Sequence, residues 1–303
     1  MLPMPFILRS WFCKTRFPIG ILAAGLICVS LESAQAAPIA YDPFNQSPVA
    51  SISGTASTPP GGWPTRDQVW GDVTGTVGIS ADSLSPPSGA INVATNGNRA
   101  TVFNQTGSQV AAFRDFGTTF STAPGTGDDL WFSFLYRPAD RTGGVGINEG
   151  ISLFKGGTEK MFFGADGNGD LVIRAIGGQS VLSGDQFANT FLDATSNQTF
   201  LIVTNVRGTT DYSIWVDPSG FDQLLGLPTG GTSASLSSNL NTFDFDRVRL
   251  GDDTTSPAQG AAMFDEFRMG TTAIDVIPTS VPEPATLLLA LVGLMLLPRR
   301  RRR

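Results

Sequence analysis

FLIVTNVR over Phe200–Arg207, the tripeptide Gly208-Thr209-Thr210, and DYSIWV over Asp211–Val216 read as two strands joined by a tight loop. β-Branched and aromatic residues fill both runs, and the Arg-Gly-Thr-Thr-Asp stretch supplies turn-forming residues where the chain reverses. In the second run Tyr212, Ile214 and Val216 share one face, and Trp215 takes the other. A hairpin of this kind must pair with further strands, because two strands alone are only marginally stable.

Those strands lie on either side of it. LWFSFLY, Leu130–Tyr136, is apolar on both phases, which predicts a central strand covered on both faces. Lys160–Gly164 and LVIRA (Leu171–Ala175) flank Asp166-Gly167-Asn168-Gly169-Asp170, a second hairpin loop. In FDFDRVRL, Phe243–Leu250, the apolar phase slips from Phe243 and Phe245 to Val248 and Leu250, which predicts a bulge near Asp246. MFDEFRM, Met263–Met269, completes the set; strict alternation would place Met263, Asp265, Phe267 and Met269 on one face. Glycine and proline number 35 and 20, and between the two ends no amphipathic stretch of useful length has a helical period. The expectation is an all-β fold of antiparallel strands, for which one β-sandwich domain spanning residues 37–275 is an ordinary size.

Several pieces resemble the LamG-like members of the concanavalin A-like sandwich superfamily. These are YDPF at Tyr41–Phe44 followed by Gly61-Gly62-Trp63, the central LWFSFLY, the 200–216 hairpin, and the late pair DFDRVRLG and MFDEFRMG, which precedes a Thr-rich exit. The resemblance spans roughly residues 40–275 and implies the jelly-roll winding. It also allows a calcium site built around Asp265; the alternative is a carboxylate internal to the fold that caps backbone amides.

Both chain ends read as addresses. Residues 1–36 carry Arg9, Lys14 and Arg16, an apolar stretch from Phe17 to Val29, and Ala34-Gln35-Ala36 before Ala37. This is the pattern of a secretory leader, cut by signal peptidase after Ala36. A linker is expected at 276–280, its start falling near Ala273. The C-terminus then has Val281-Pro282-Glu283-Pro284, a 13-residue apolar run over 285–297, and, after Pro298, the cluster Arg299, Arg300, Arg301, Arg302 and Arg303. As a helix that run covers only about 20 Å against a hydrocarbon core of about 30 Å, so it is a weak membrane anchor whose arginines stay on the cytoplasmic side. Motif, run and basic cluster together resemble the PEP-CTERM sorting signal of Gram-negative bacteria that make exopolysaccharide. That resemblance implies processing near the motif by an exosortase-type membrane protease. An ordinary tail anchor would give the same topology without the processing step.

Composition narrows the chemistry. Cys13 and Cys28 both lie in the leader, so the body carries no thiol, and the chain has no histidine. Disulfides, Ser-His-Asp triads and histidine-ligated zinc are thereby excluded from residues 37–281. That body holds twelve basic and twenty-four acidic residues, a balance that disfavours nucleic acid as a partner. The retaining laminarinase-like group of concanavalin A-like hydrolases places its acids as Glu-x-Asp-x-x-Glu on one strand face, a string absent here. Asp265 and Glu266, being adjacent, would point to opposite faces of a regular strand. Asp166, Asn168 and Asp170 have the spacing of the first EF-hand ligands, but Leu171 stands where that loop needs glycine and Gly177 where it needs glutamate. Trp63, Trp70, Trp131 and Trp215 could stack on sugar rings or pack the core.

The sequence therefore predicts an exported, non-enzymatic protein, briefly anchored in the membrane and then placed at the cell surface or in the extracellular matrix, with a structural or adhesive role among exopolysaccharides. A carbohydrate-binding module is the alternative, and a glycoside hydrolase the third. No cofactor is demanded; calcium is the one cation considered.

Overall fold

The computed structural model describes residues 38–54, 69–95, 97–103, 109–122, 129–139, 147–176, 186–193, 198–207, 211–222, 224–237, 244–254 and 261–277. The signal-cleavage residues Ala34, Ala36 and Ala37, the Val281–Pro284 motif, the 285–297 run, the five terminal arginines and Trp63 lie outside these. Among the described residues no helix is long and apolar enough to cross a membrane.

Two antiparallel sheets face each other. The first has eight strands, in spatial order β15 (Thr232–Ser237), β12 (Asp211–Val216), β11 (Phe200–Arg207), β6 (Asp129–Arg137), β17 (Ala262–Gly270), β4 (Arg99–Phe103) and β3 (Thr76–Ser80), with β1 (Ala40–Asp42) added to β17. The second has seven: β10 (Gln186–Asp193), β9 (Asp170–Ala175), β8 (Thr158–Ala165), β7 (Ile147–Lys155), β16 (Asp244–Thr254), β5 (Val110–Ser121) and β2 (Trp70–Thr74). A small hairpin of β13 (Gly220–Asp222) and β14 (Leu227–Thr229) stands apart from both, and α1 (Ala273–Val276) follows the last strand. The fold is an antiparallel β-sandwich.

The 200–216 hairpin forms as its residues dictate. Val206 pairs with Tyr212 and Arg207 with Asp211 across the loop, and Tyr212, Ile214 and Val216 are all buried in the core between the sheets. β6 is central and covered on both faces. Leu130, Phe132, Phe134 and Tyr136 point between the sheets, where Phe132 meets Phe163 and Phe245 of the opposite sheet at 5.6 and 6.0 Å between ring centres. Its other phase, Trp131 and Leu135, joins Leu201, Val203, Leu84, Ile91 and Val93 in a second apolar cluster. That cluster lies on the outer face of the eight-stranded sheet, beneath a cover formed by residues 84–93, α1 and the β13–β14 hairpin. Each fully buried side chain of this size contributes about 1.5–3 kcal/mol.

β16 carries the bulge expected near Asp246: its register against β5 shifts between Phe245 and Arg247. β17 carries another that alternation does not reveal. Asp265 pairs with Leu135 and Arg268 with Ser133, so Glu266 and Phe267 together oppose the single residue Phe134. Glu266 adopts φ 55° there. The bulge resets the phase, so Phe267 and Met269 join Ala262 and Phe264 in the core, whereas Met263 packs on the outer cluster with Asp265. The single face expected for Met263, Asp265, Phe267 and Met269 is thereby corrected.

At residue 276, where the linker is expected to begin, the chain is still part of the folded body. Thr272 caps α1, its N–H donating to Asp275 Oδ2 at 2.9 Å while the Asp275 amide returns a bond to Thr272 Oγ1. Ala273, Val276 and Ile277 are buried, and Ser133 Oγ donates to the Val276 carbonyl. The chain thus stays bound to the body through Ile277.

Two buried polar contacts join the sheets. Asp42 of β1 accepts from Arg114 of β5 and from Trp70 Nε1 of β2 at 2.9 Å, while its other oxygen accepts the Phe44 amide at 2.9 Å. Burial pulls the Arg114 guanidinium below its ordinary value, and Asp42 opposes that pull. Further along, Tyr136 Oη and the Ala139 amide donate to Glu149 of β7. Asp42→Ala should cost about 3–5 kcal/mol, because it strands the Arg114 charge in the core. Replacing both partners by apolar residues of similar volume, Asp42→Leu with Arg114→Met, should cost less; equilibrium denaturation of both variants measures the difference.

Candidate functional site

Asp265 is fully buried, and its carboxyl is engaged by the chain itself. Oδ2 accepts the Leu84 amide at 2.9 Å and Oδ1 the Glu266 amide at 2.8 Å. Burial, and then the Glu266 charge, push its pKa up to about 8. Glu266, also buried, accepts from Tyr41 Oη at 2.7 Å and Arg268 Nη2 at 2.6 Å. Tyr41 and Arg268 are the outward members of their strands, between the inward pairs Ala40/Asp42 and Phe267/Met269. The bulge therefore turns both carboxyls outward, and the opposite orientations expected of adjacent residues do not arise. Arg268 lies over the Tyr41 ring at 4.8 Å and also donates to the Ala94 carbonyl at 3.1 Å. Asp265 and Arg268 thus pin the two ends of the segment Leu84–Ala94 over the outer cluster.

This arrangement accounts for Asp265 as a fold-internal clamp that caps the Leu84 and Glu266 amides, the alternative to a calcium ligand. Calcium takes six to eight oxygen ligands; among the described residues no group of three or more His, Cys, Asp or Glu converges, so a calcium ion here would draw most of its ligands from backbone carbonyls and water. The Asp166–Asp170 stretch is a hairpin turn between β8 and β9, with Asp166 Oδ1 accepting the Asn168 and Asp170 amides at 2.8 and 3.1 Å.

Of the tryptophans that could stack on sugar rings or pack the core, the three described ones pack. Trp70 is buried against Asp42 and Phe44, and Trp131 is buried in the outer cluster. Half-buried Trp215 stacks on Trp131 at 5.6 Å and 20° between planes.

An open cleft of about 500 Å3 lies instead on the outer side of the seven-stranded sheet, at the β16 bulge. Asp246 on the bulge, Arg247, Asp115 and Thr118–Thr119 of β5, and Gly156 in the β7–β8 turn line it. Gly156 at φ 56° permits the two-residue turn between Lys155 and Thr158, and its amide donates to Asp246 at 2.9 Å. Lys155 bridges Asp246 at 3.0 Å and Thr119 Oγ1 at 2.6 Å, and Arg247 bridges Asp115 at 2.7 Å while lying 5.1 Å over the Phe113 ring. Partial burial raises Asp246, but the Gly156 amide, Lys155 and Arg247 outweigh it and hold the carboxyl below its ordinary value. A general acid for glycoside cleavage needs the opposite shift. What the cleft offers is a set of pre-placed charged donors and acceptors beside an aromatic ring, chemistry that fits polyhydroxyl groups.

Sequence reasoning reached this place only through the phase slip in FDFDRVRL; Asp115, Thr118 and Lys155 carry no pattern that marks them. Arg249 and Arg174 continue the same outer face, over Phe154 at 4.9 Å and Phe162 at 5.4 Å.

No family model and no curated protein matches the chain. Among solved structures it is similar to the T. cruzi calreticulin globular domain, at 14% identity over 75% of this chain and 95% of that one, with a TM-score of 0.44. It is also similar to the binding domain of Paraclostridial Mosquitocidal Protein 1 (14% identity, 68% and 46% covered, TM-score 0.41) and to the botulinum neurotoxin type G receptor binding domain (8%, 84% and 52%, TM-score 0.40). The chain spans about half the length of those two toxin chains. At TM-scores below 0.5 these likenesses carry no functional conclusion.

Two measurements follow from Asp265. Its folded pKa, about 8, lies above the ordinary 3.8, so the stability linked to its proton is complete below about pH 4 and is lost as pH rises through about 8. The melting temperature should therefore fall by several degrees between pH 6 and pH 9, and Asp265→Asn should flatten that decline. Melting in excess calcium and in chelator should coincide.

Proposed function

We propose that this chain is an exported protein whose folded body is carried to the cell surface between two removable ends and works there as a structural or adhesive component of the exopolysaccharide matrix. The observation that carries the reading is the extent of the body. The two sheets and α1 lie within the described residues 38–277, so cuts after Ala36 and near Val281–Pro284 would leave them whole. The 285–297 run and the five arginines would hold the precursor in the membrane until an exosortase-type protease acts. We read the winding as a jelly roll of the concanavalin A-like class; the late strands β16 and β17 inside the sheets, beside β5 and β4, support that reading.

Carbohydrate recognition is the second reading, supported by the cleft at the β16 bulge. Its fixed Arg247, Asp115 and Asp246 groups suit sugar hydroxyls, and the lowered pKa of Asp246 favours binding over cleavage.

Intact-mass analysis of the protein from cells with and without the membrane protease tests the main reading. The mature chain should begin at Ala37 and end near Val281–Pro284 when the protease is present, and should keep Arg299–Arg303 when it is absent. An arginine-bearing terminus in both would overturn processing. Co-sedimentation with the cells' own exopolysaccharide tests the cleft. Arg247→Ala should weaken binding by about tenfold, the size of one lost hydrogen bond to a charged group.

A further inference from the structure

Five large apolar side chains stand out from the described surface, and three of them belong to the cover of the eight-stranded sheet. Leu224 is 97% exposed and Leu225 67% exposed, at the tip of the β13–β14 hairpin; Ile274, on α1, is 42% exposed. The tip is a built turn. Asp222 Oδ1 accepts the Leu224 and Leu225 amides at 2.8 and 3.1 Å, the Asp222 carbonyl accepts the Gly226 amide at 2.8 Å, and Gly226 at φ 65° closes the loop. Phe221 and Leu227, on either side, pack into the outer cluster and root the hairpin in the body. Two leucines are thus held in water by a structure that could have turned them inward.

The place where the chain leaves the body suggests what meets them. Ala273, Val276 and Ile277 pack into the same outer cluster as Phe221 and Leu227, so the last described residue lies on the face that carries the leucine tip. Residues 278–284 join Ile277 to the apolar run at Ala285, and seven residues reach at most about 25 Å even when fully extended. While the tail is uncut, this face cannot move farther than that from the membrane. We propose that Leu224 and Leu225 dock into the interfacial layer of the bilayer while the tail is attached, fixing the body face-down and holding the Val281–Pro284 segment at the membrane surface. The proposal rests on the tail being a membrane anchor, as argued above.

The energetics make such docking depend on the tether. Burying one leucine shifts a partition equilibrium by about tenfold or somewhat more. A single acyl chain, with many more methylenes, binds membranes only marginally, so two leucines cannot hold the body by themselves. Tethering makes the contact intramolecular and raises its effective concentration. Cutting the linker then releases the body without any other change. The tip has no basic residue between Gly220 and Thr229, and the body is acidic, so a zwitterionic surface suits it better than an anionic one.

The test uses residues 37–303, the chain without its leader, which contains no cysteine, reconstituted into phosphatidylcholine vesicles that contain doxyl-labelled lipid. An environment-sensitive fluorophore is placed on Leu225→Cys or, on the opposite sheet, on exposed Thr118→Cys. The label at 225 should be quenched and the label at 118 should not. Leu224→Asp should lower the docked-to-free ratio by about tenfold or more, and cleavage at a protease site inserted after Ser280 should return the body to solution. If the chain stays with the vesicles but the 225 label is unquenched, the docking proposal fails while the anchor stands. If the chain does not stay with the vesicles, the anchor reading has failed, and docking falls with it. A 225 signal that follows protein density and ignores doxyl lipid would mean that the tip meets a second copy, which overturns the proposal.

Discussion

The bulge at Glu266 in β17 is the constraint on which most of this structure depends. One extra residue opposite Phe134 turns Phe267 and Met269 into the core and leaves Asp265 and Arg268 facing outward. It also falls where β17 changes neighbours, from β4 along residues 262–264 to β1 along 267–269. Because β1 is seated there, Asp42 reaches across to Arg114 and Trp70 and ties the two sheets together at their interior. Because Asp265 and Arg268 face outward, they hold both ends of the 84–94 segment over the second apolar cluster. A φ of 55° at a non-glycine residue costs of order 1–3 kcal/mol. Glu266 offsets that cost through its bonds to Tyr41 and Arg268.

Much of the sandwich was legible in the sequence because its strands obey a two-residue period. LWFSFLY, apolar on both phases, is central and covered on both sides, and the Tyr212-Ile214-Val216 face is buried. The β16 bulge was legible too, because Phe245 and Val248 cannot share a phase. The β17 bulge was not. Met263 and Phe264 are both apolar, so either phase fits the start of that strand, and only Phe267 and Met269 following Phe264 at a spacing of three hint at the slip. Asp42, Arg114 and Glu149 were illegible as core residues, since their burial depends on partners 72 and 10 or more residues away. The cleft was hidden for a similar reason: Asp115, Gly156 and Asp246 meet only after three strands have registered.

The body is therefore stiffened from both sides. Between the sheets, aromatic packing is locked by two polar links, and on the outside one sheet is roofed by a loop, a hairpin and a helical turn. On the outer side of the other sheet, arginines lie over Phe113, Phe154 and Phe162, and the cleft opens at the β16 bulge. The two faces differ accordingly: the roofed side carries the chain's exit and the leucine tip, and the other carries the arginine–aromatic pairs and the cleft.

Placement is the central claim, and it is tested most directly by where the body resides in the cell. Fractionation of growing cells, with an antibody against the folded body, should find it in the extracellular matrix, and deletion of residues 281–303 should redirect it to the periplasm or the culture medium. Recovery of the full chain mainly from the cytoplasm, or an unchanged distribution after that deletion, would contradict the account.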